Sequence, residues 1–547
     1  MVPNPAILHL RREAVGIVNS SNAMAENELS LAAGGETSRK VGGYFWSAGL
    51  LAALGFLIAF FSFDLNTPWT QDDYYNGAVW SQAAHNLLRA GLLKTVAVPA
   101  AFYYGPLPIP PDGFYVHHPC LLPLGVAAAF WVFGESEWAA RIVPLLCSTT
   151  SVILVWLLAR SCAGVRAATF SVAVFVTLPM ELHYGQMVNF EPCTLMWMLA
   201  ALLSVRYVSV TGNTRWWISM IAACVLAMWT AWLAYFFVII LALHFVFFAR
   251  EKHRSVAAWL WLLALLSALA FLFQIREVRA DAWPDLAAAF YHRLSSSGAG
   301  ALRFTMSEWA RTVGGWLLIL VSPLAWALAF VGSWIVWKNR QAAPGLRWLG
   351  WAALCLLLLN GFYLVAFRNA SYIHDYAGFY LVAPISLMAG MALDRLAGWK
   401  ASRHLGLAIA LMMVLTLAYF GVVTSRSLWA QSHLLEGTIA ESPRFIPSLG
   451  HILRGYFDER TEVLCNFEPH ATTLPYYAQR SFLGEPWDAP GWGERLQDKT
   501  GRFGAIVWMD GADAPELLEV LPKQGRTEIE LERVRFCLWK PSVDNLR

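Results

Sequence analysis

Pro119-Cys-Leu-Leu-Pro-Leu-Gly-Val-Ala-Ala-Ala-Phe-Trp-Val-Phe133 is an uncharged run, and whether it crosses a bilayer decides which side every later loop occupies. As a helix these fifteen residues would rise only ~22 Å, short of a hydrocarbon core of ~30 Å. Pro119 also suits the first position of a helix. Read as a surface helix, the run leaves eleven other apolar stretches, at about 43–63, 142–159, 167–182, 190–205, 216–230, 232–249, 255–275, 312–337, 348–367, 376–393 and 405–425. The short loops 160–166, 206–215, 250–254, 338–347 and 394–403 then share one side. They hold thirteen Lys or Arg against two acids, Glu251 and Asp394. The excess of Lys and Arg in cytoplasmic loops assigns that side to the cytoplasm. If 119–133 crossed, all five basic loops would face outward, so eleven spans with one surface helix is the better count.

Composition agrees. With 547 residues, 57% hydrophobic and only 14% charged, the chain cannot be one soluble domain. A net charge of +3 gives no argument for a nucleic-acid partner. The eight cysteines are scattered, with neither metal-site spacing nor a disulfide framework. Residues 1–42 are polar, and Arg11, Arg12, Arg39 and Lys40 precede the first span, the pattern of an uncleaved signal anchor with a cytoplasmic tail. The outer side then holds 64–141, 183–191, 276–311 and 368–375, and everything after about Arg426. The loop 276–311 carries five Arg, although long loops weigh less in this rule. The C-terminal segment changes character: 461–467, 503–509 and 528–539 read as strands of a small α/β domain. Cys465 and Cys537 each sit in such a run, either bridged or as two separate core thiols.

The first outer loop holds most of the groups able to do chemistry. It opens with Trp69-Thr-Gln-Asp72-Asp73-Tyr74-Tyr75, after which Trp80, Ala83/Ala84 and Leu87/Leu88 recur at helical spacing. It continues through Tyr115-Val-His117-His118-Pro119 and closes on Phe133-Gly-Glu-Ser-Glu-Trp-Ala-Ala-Arg141. Two helices at the outer surface would frame a pocket at headgroup level, a place suited to a lipid-linked substrate. With Met187-Val-Asn-Phe-Glu191-Pro, these ordered motifs resemble the GT-C glycosyltransferases. The likeness is greatest to the protein O-mannosyltransferase-like group, which has the lipid A aminoarabinose transferase as a relative. It covers about 43–210 well and the later spans loosely, and does not reach the C-terminal domain.

The resemblance implies an α-helical polytopic membrane protein of GT-C type. It would have about eleven transmembrane helices over 43–425, interfacial helices in the first outer loop (64–141), and a C-terminal α/β soluble domain over 426–547. It implies a polyprenyl-phosphate sugar donor, an acceptor hydroxyl, and a site on the non-cytoplasmic face of a bacterial inner or plasma membrane. Asp72, Asp73 (Glu in the family) and Glu191 are the expected catalytic acids, one of them taking the acceptor's proton. Arg141, His118 and Arg293 are the expected donor-phosphate ligands. His117 and His292 are the expected ligands should a divalent metal ion take part. Each has a plainer reading: adjacent acids and Glu191 can cap helices, the His pair can serve a turn, and Arg141 can snorkel to headgroups. Residues 369–376 read as pocket wall. The rival function is a transporter or lipid flippase, which would place its acids at mid-membrane on broken, repeated helices. A glycosyltransferase instead predicts that Asp72, His117 or His118, Glu191 and Arg141 converge on one outward pocket.

Overall fold

A computed structural model of the chain describes residues 36–69, 75–247, 254–294, 304–399, 402–435, 444–466, 473–483, 502–509 and 518–541. Each of the eleven apolar stretches becomes helix, as runs without charge or turn residues must when their backbone is to be satisfied internally. The helices in order are α1 (Glu36–Ser62), α2 (Tyr75–Ala90), α3 (Leu121–Phe133), α4 (Glu137–Ala163), α5 (Val165–Phe175), α6 (Pro179–Tyr184), α7 (Phe190–Thr211), α8 (Thr214–Met228) and α9 (Leu233–Phe247). They continue with α10 (Ser255–Val278), α11 (Trp283–Leu294), α12 (Met306–Val321), α13 (Pro323–Asn339), α14 (Pro344–Ala366), α15 (Val382–Ala397, entered through a 3-10 turn at Asp375–Leu381) and α16 (Arg403–Leu435). Among the described residues six helices are long and apolar enough to cross a bilayer. Several of the others are shorter; α8 and α9, for example, have 15 residues each.

Two expected spans are broken. The run 312–337 is two helices bent by 84°, because Ser322 lies at φ +75° and Pro323 follows it. Proline has no N–H to continue the ladder and suits the first position of a new helix. The run 167–182 likewise stops at Phe175 and restarts at Pro179. Run α3 is the expected short helix. Gly134, at φ +83°, ends it with an N–H bond to the Phe130 carbonyl at 2.9 Å, a conformation that favours glycine. Trp131, Val132 and Phe133 stand exposed at its end. Inside the bundle α15 is buried over nearly its whole length. Gly332 of α13 and Gly390 of α15 permit the closest helix approaches: a Cβ would strike the Met388 carbonyl at the first and Ser171 at the second.

The C-terminal segment carries α17 (Phe445–Tyr456), α18 (Thr473–Ala478) and a mixed sheet of β1 (Glu462–Cys465), β2 (Ser481–Leu483), β3 (Phe503–Trp508), β4 (Arg526–Leu531) and β5 (Val534–Trp539). The strand order is β2-β1-β3-β5-β4, parallel on the β2-β1-β3 side and antiparallel beyond. The expected strand at 528–539 is in fact a hairpin. It turns at Glu532 and Arg533, both at positive φ, in a two-residue turn usually marked by Asn or Gly. Val463, Cys465, Ile506, Phe536 and Leu538 share one buried cluster, and Leu464, Ala505, Val507, Cys537 and Trp539 another. This alternation puts Cys465 and Cys537 on opposite faces, and β3 lies between their strands. Neither cysteine is in a disulfide. The disulfide is therefore excluded, because its Cα atoms must lie within ~7 Å. The first cluster also contains Trp80, Leu87, Leu122 and Phe130 of α2 and α3, with Phe445, Leu449 and Leu453 on one face of α17. At ~1.5–3 kcal/mol for each fully buried large side chain, the sheet and the first outer loop share one core.

Candidate active site

A cavity of about 510 Å³ opens among α9, α10, α11 and α14, within the range of small-molecule sites. Its wall is mostly apolar, with Trp232, Phe236, Leu272, Phe290 and Phe367, and its polar groups include His118, Glu191, Arg293, Tyr363 and Tyr380. Helix α11 brings Arg293 to this wall, and the loop before α3 brings His118. The His117 carbonyl accepts from the Trp232 indole N–H at 2.7 Å, which fixes that loop against α9.

His118 stacks on Phe190 at 4.3 Å and 10°. Its Nε2 lies 2.8 Å from Arg293 Nη2. A guanidinium can only donate, so Nε2 accepts and the ring proton is assigned to Nδ1. Burial first, then the Arg293 charge, hold His118 well below the usual histidine range. Its Nδ1 is buried without a partner among the described residues. Arg293 and this neutral imidazole together offer donors to an anionic group in the cavity. The Tyr115 phenol also lies beside Arg293.

Glu191 stands in the first turn of α7, buried, and its Oε2 has no hydrogen-bond partner among the described residues. It does not act as the cap: Asn189 occupies that position, without a side-chain bond. Its carboxyl acts electrostatically on the phenols of Tyr363, Tyr376 and Tyr380. His118, Arg293 and Glu191 thus line one cavity.

Arg141 is not brought to this cavity. Buried in α4, it donates through Nη1 to the carbonyls of Leu65 at 3.0 Å and Thr67 at 2.5 Å, with its guanidinium 4.1 Å from the Trp69 ring. It lines a separate small cavity with His183 and Gln186. The segment 64–69 is irregular, so its carbonyls need donors from elsewhere, and Arg141 is one. From the other side, the Tyr477 hydroxyl accepts from the Trp69 N–H at 2.8 Å and donates to Glu137 at 2.5 Å. Glu135 accepts from Tyr476 at 3.2 Å and pairs with His85 at 2.9 Å. The Glu-Ser-Glu-Trp-Ala-Ala-Arg motif therefore anchors the first loop to α18.

Asp72 and Asp73 lie outside the described residues. His117 is pushed down to about 4 by burial and then by Arg293, with Arg279 adding to the effect and only Asp285 opposing it. His292 turns to Asn369, whose amide donates to its Nδ1 at 3.2 Å and its carbonyl at 2.9 Å. Among the described residues no three His, Cys, Asp or Glu side chains converge. The Arg293 guanidinium beside His117 opposes a divalent cation, and the Asn369 amide occupies His292 Nδ1, so the expected His117 and His292 ligand set does not fit one. Residues 369–376, expected as pocket wall, do not line this cavity, which takes Phe367 and Tyr380 from either side of them. Asn369 is buried, and the His374 ring stacks on Tyr376 at 4.9 Å. Sequence reasoning passed over Glu181, fully buried in α6. The signal was an acid inside a run otherwise apolar.

The comparisons with known proteins bear on the fold. A family model described as dolichyl-phosphate-mannose-protein mannosyltransferase matches residues 117–274. Over nearly full length, the chain superposes on ArnT from Cupriavidus metallidurans with a TM-score of 0.58 at 15% identity, covering 92% of this chain and 98% of that one. The chain has the GT-C fold. The same GT-C protein bound to undecaprenyl phosphate matches with a TM-score of 0.58 at 14% identity, covering 90% of this chain and 97% of that one. The Archaeoglobus fulgidus oligosaccharyltransferase matches at 0.55 and 14%, covering 92% and 75%. In sequence, the undecaprenyl phosphate-alpha-4-amino-4-deoxy-L-arabinose arabinosyl transferases of Edwardsiella ictaluri and Pseudomonas aeruginosa are 25% and 26% identical. The matches cover 42% and 53% of this chain. The chain thus spans about half the length of these curated relatives, 42% and 53% respectively.

Proposed function

We propose that this GT-C protein transfers a sugar from a polyprenyl-phosphate donor to an acceptor hydroxyl on the non-cytoplasmic face of the membrane. The observation that carries the reading is the 510 Å³ cavity between spans, apolar along its wall and armed with Arg293, His118 and Glu191. An isoprenoid tail suits the apolar wall, and a phosphate suits Arg293 with the His118 Nδ1–H. In the reaction the acceptor oxygen loses its proton to Asp72 and bonds to the anomeric carbon. The bond from that carbon to the phosphate oxygen breaks, and the phosphate leaves on the carrier lipid. Arg293 and His118 stabilise the charge that develops on it. No step passes through a divalent ion. Loss of transfer in EDTA that Mn²⁺ restores would return one to the mechanism.

Purified protein incubated with a panel of radiolabelled polyprenyl-phosphate sugars tests the reading. Wild type should release label to an acceptor, and Asp72→Asn, with one general base gone, should lose ~10²–10⁴-fold in rate. Protein that moves the lipid across a bilayer without breaking the sugar–phosphate bond would support the flippase instead. The orientation, with the N-terminus cytoplasmic and the C-terminal segment outside, is tested by labelling introduced cysteines. Cys120 and Cys465 are buried, so Thr211→Cys and His451→Cys, at exposed positions, serve better. Outside reagent should reach the second and not the first.

A further inference from the structure

Helix α2 presents two faces. Trp80 lies on one, edge-on to His118 at 6.2 Å and Phe190 at 4.6 Å. His85 and Arg89, about 140° and 180° further round at ~100° per residue, line a second cavity of about 140 Å³ where this helix meets the C-terminal segment. Arg454, Glu459 and Arg480 complete its charged wall. Three guanidiniums thus face one lining carboxylate. None of the three forms an ion pair among the described residues. Two more carboxylates stand behind the wall, Glu135 on His85 and Asp458 near Arg480. Even so, burial outweighs them and holds Arg89 and Arg480 below the ordinary arginine range. An anion in the cavity would offset that penalty.

The donors are arranged for one. Buried Arg480 is locked by the carbonyls of Phe457, Gln479 and Arg454 and fixes a positive charge at the back. Arg89 commits Nε to Asn86 and Nη2 to Gly105, which leaves Nη1 for a ligand. Arg454 stands exposed at the lip, and its guanidinium makes no hydrogen bond among the described residues. We propose that this seam is an oxyanion site for a phosphate-class group, with Arg89 Nη1 and Arg454 as its donors and Arg480 as its fixed charge. The volume far exceeds the ~10–15 Å³ needed for one water, and arginine forks match phosphate oxygens. Such a group reaches the seam either as a soluble phosphate or on an anionic lipid headgroup.

Full-length protein in lipid-free detergent is titrated calorimetrically with inorganic phosphate at fixed ionic strength, chloride balancing the salt. It is then titrated with dihexanoyl phosphatidic acid below its micelle concentration. Wild type should bind both, and Arg454→Ala should weaken each by at least about tenfold, the loss of one charged hydrogen bond. Arg89→Gln should act in the same direction, and should it fail to fold, the exposed Arg454→Ala decides alone. Tighter binding of the lipid identifies a headgroup, and equal binding identifies a soluble oxyanion. Wild type that binds neither probe, or Arg454→Ala that binds as wild type does, overturns the site. No sugar transfer is measured, so this outcome is independent of the proposed reaction.

Discussion

Arg141→Gln and Arg293→Gln should fail in different ways, although the family resemblance gives both arginines the same duty. Arg293 lines the large cavity and gives one N–H to His118. Its replacement removes a guanidinium–phosphate contact of ~1.5–3 kcal/mol, or about 10- to 150-fold in donor kcat/KM. The protein should melt closer to wild type than Arg141→Gln does, since the replacement leaves only the His118 Nε2 and the Tyr115 phenol short of one donor, about 1–3 kcal/mol at most. Arg141 is buried, bonded to two carbonyls and stacked on Trp69. Its replacement should cost roughly 2–4 kcal/mol of stability, from charged hydrogen bonds and the ring contact, and any catalytic loss should fall on kcat with donor KM unchanged. The assay is donor-dependent transfer kinetics beside thermal melts of the same detergent preparations. An Arg141→Gln protein with wild-type Tm and a raised donor KM would refute the separation. So would Arg293→Gln with donor kcat/KM within about threefold of wild type.

Three further outcomes are expected. Burial holds His117 and His374 down to about 4, so the unfolded chain binds more protons between about 6.5 and 4. Stability should therefore fall as pH drops through that window and be unaffected by them above it; His117→Gln with His374→Gln should flatten the Tm–pH slope. Tyr477→Phe leaves the Trp69 N–H and the Glu137 carboxylate each without this partner, a loss of roughly 2–4 kcal/mol that an unchanged melting temperature would contradict. Glu191→Gln, isosteric in a buried site, should lower transfer by at least about 10² if the carboxylate handles a proton; full activity would leave Glu191 a hydrogen-bonding role alone.

The long helices were legible because bilayer crossing leaves a long, nearly charge-free signature, and 119–133 as a short helix because its apolar run is too brief for that. The breaks before Pro179 and Pro323 were marked by proline, yet hydropathy averages over a single residue and runs through them. In the C-terminal segment, period-two alternation revealed strands, but the Glu532–Arg533 turn carries no Gly or Asn to divide 528–539. At the site, His118, Arg293 and Glu191 could be named through the family resemblance. Partners could not. A sequence names Arg141 as a cation, and only the fold shows that irregular backbone at 64–69 stands within its reach. The alternatives left open, snorkelling or phosphate binding, both missed a third use: satisfying backbone carbonyls.

The C-terminal segment, which the resemblance did not cover, bears on the site through that same backbone. Trp69 is held by Tyr477 from one side and Arg141 from the other, and Gly77 leaves no room for a Cβ against the Trp69 ring. Two anchors of independent origin, one on α4 and one on α18, therefore fix the residue from which the segment bearing Asp72 departs. A proton acceptor must come within hydrogen-bond reach of its substrate, and displacing it by 1 Å can cost about 10²-fold. A domain that shares a core with α2 and α3 and bonds to Trp69 is thus placed to set that distance. Its sequence can vary wherever Tyr477 and the apolar face of α17 keep the contact.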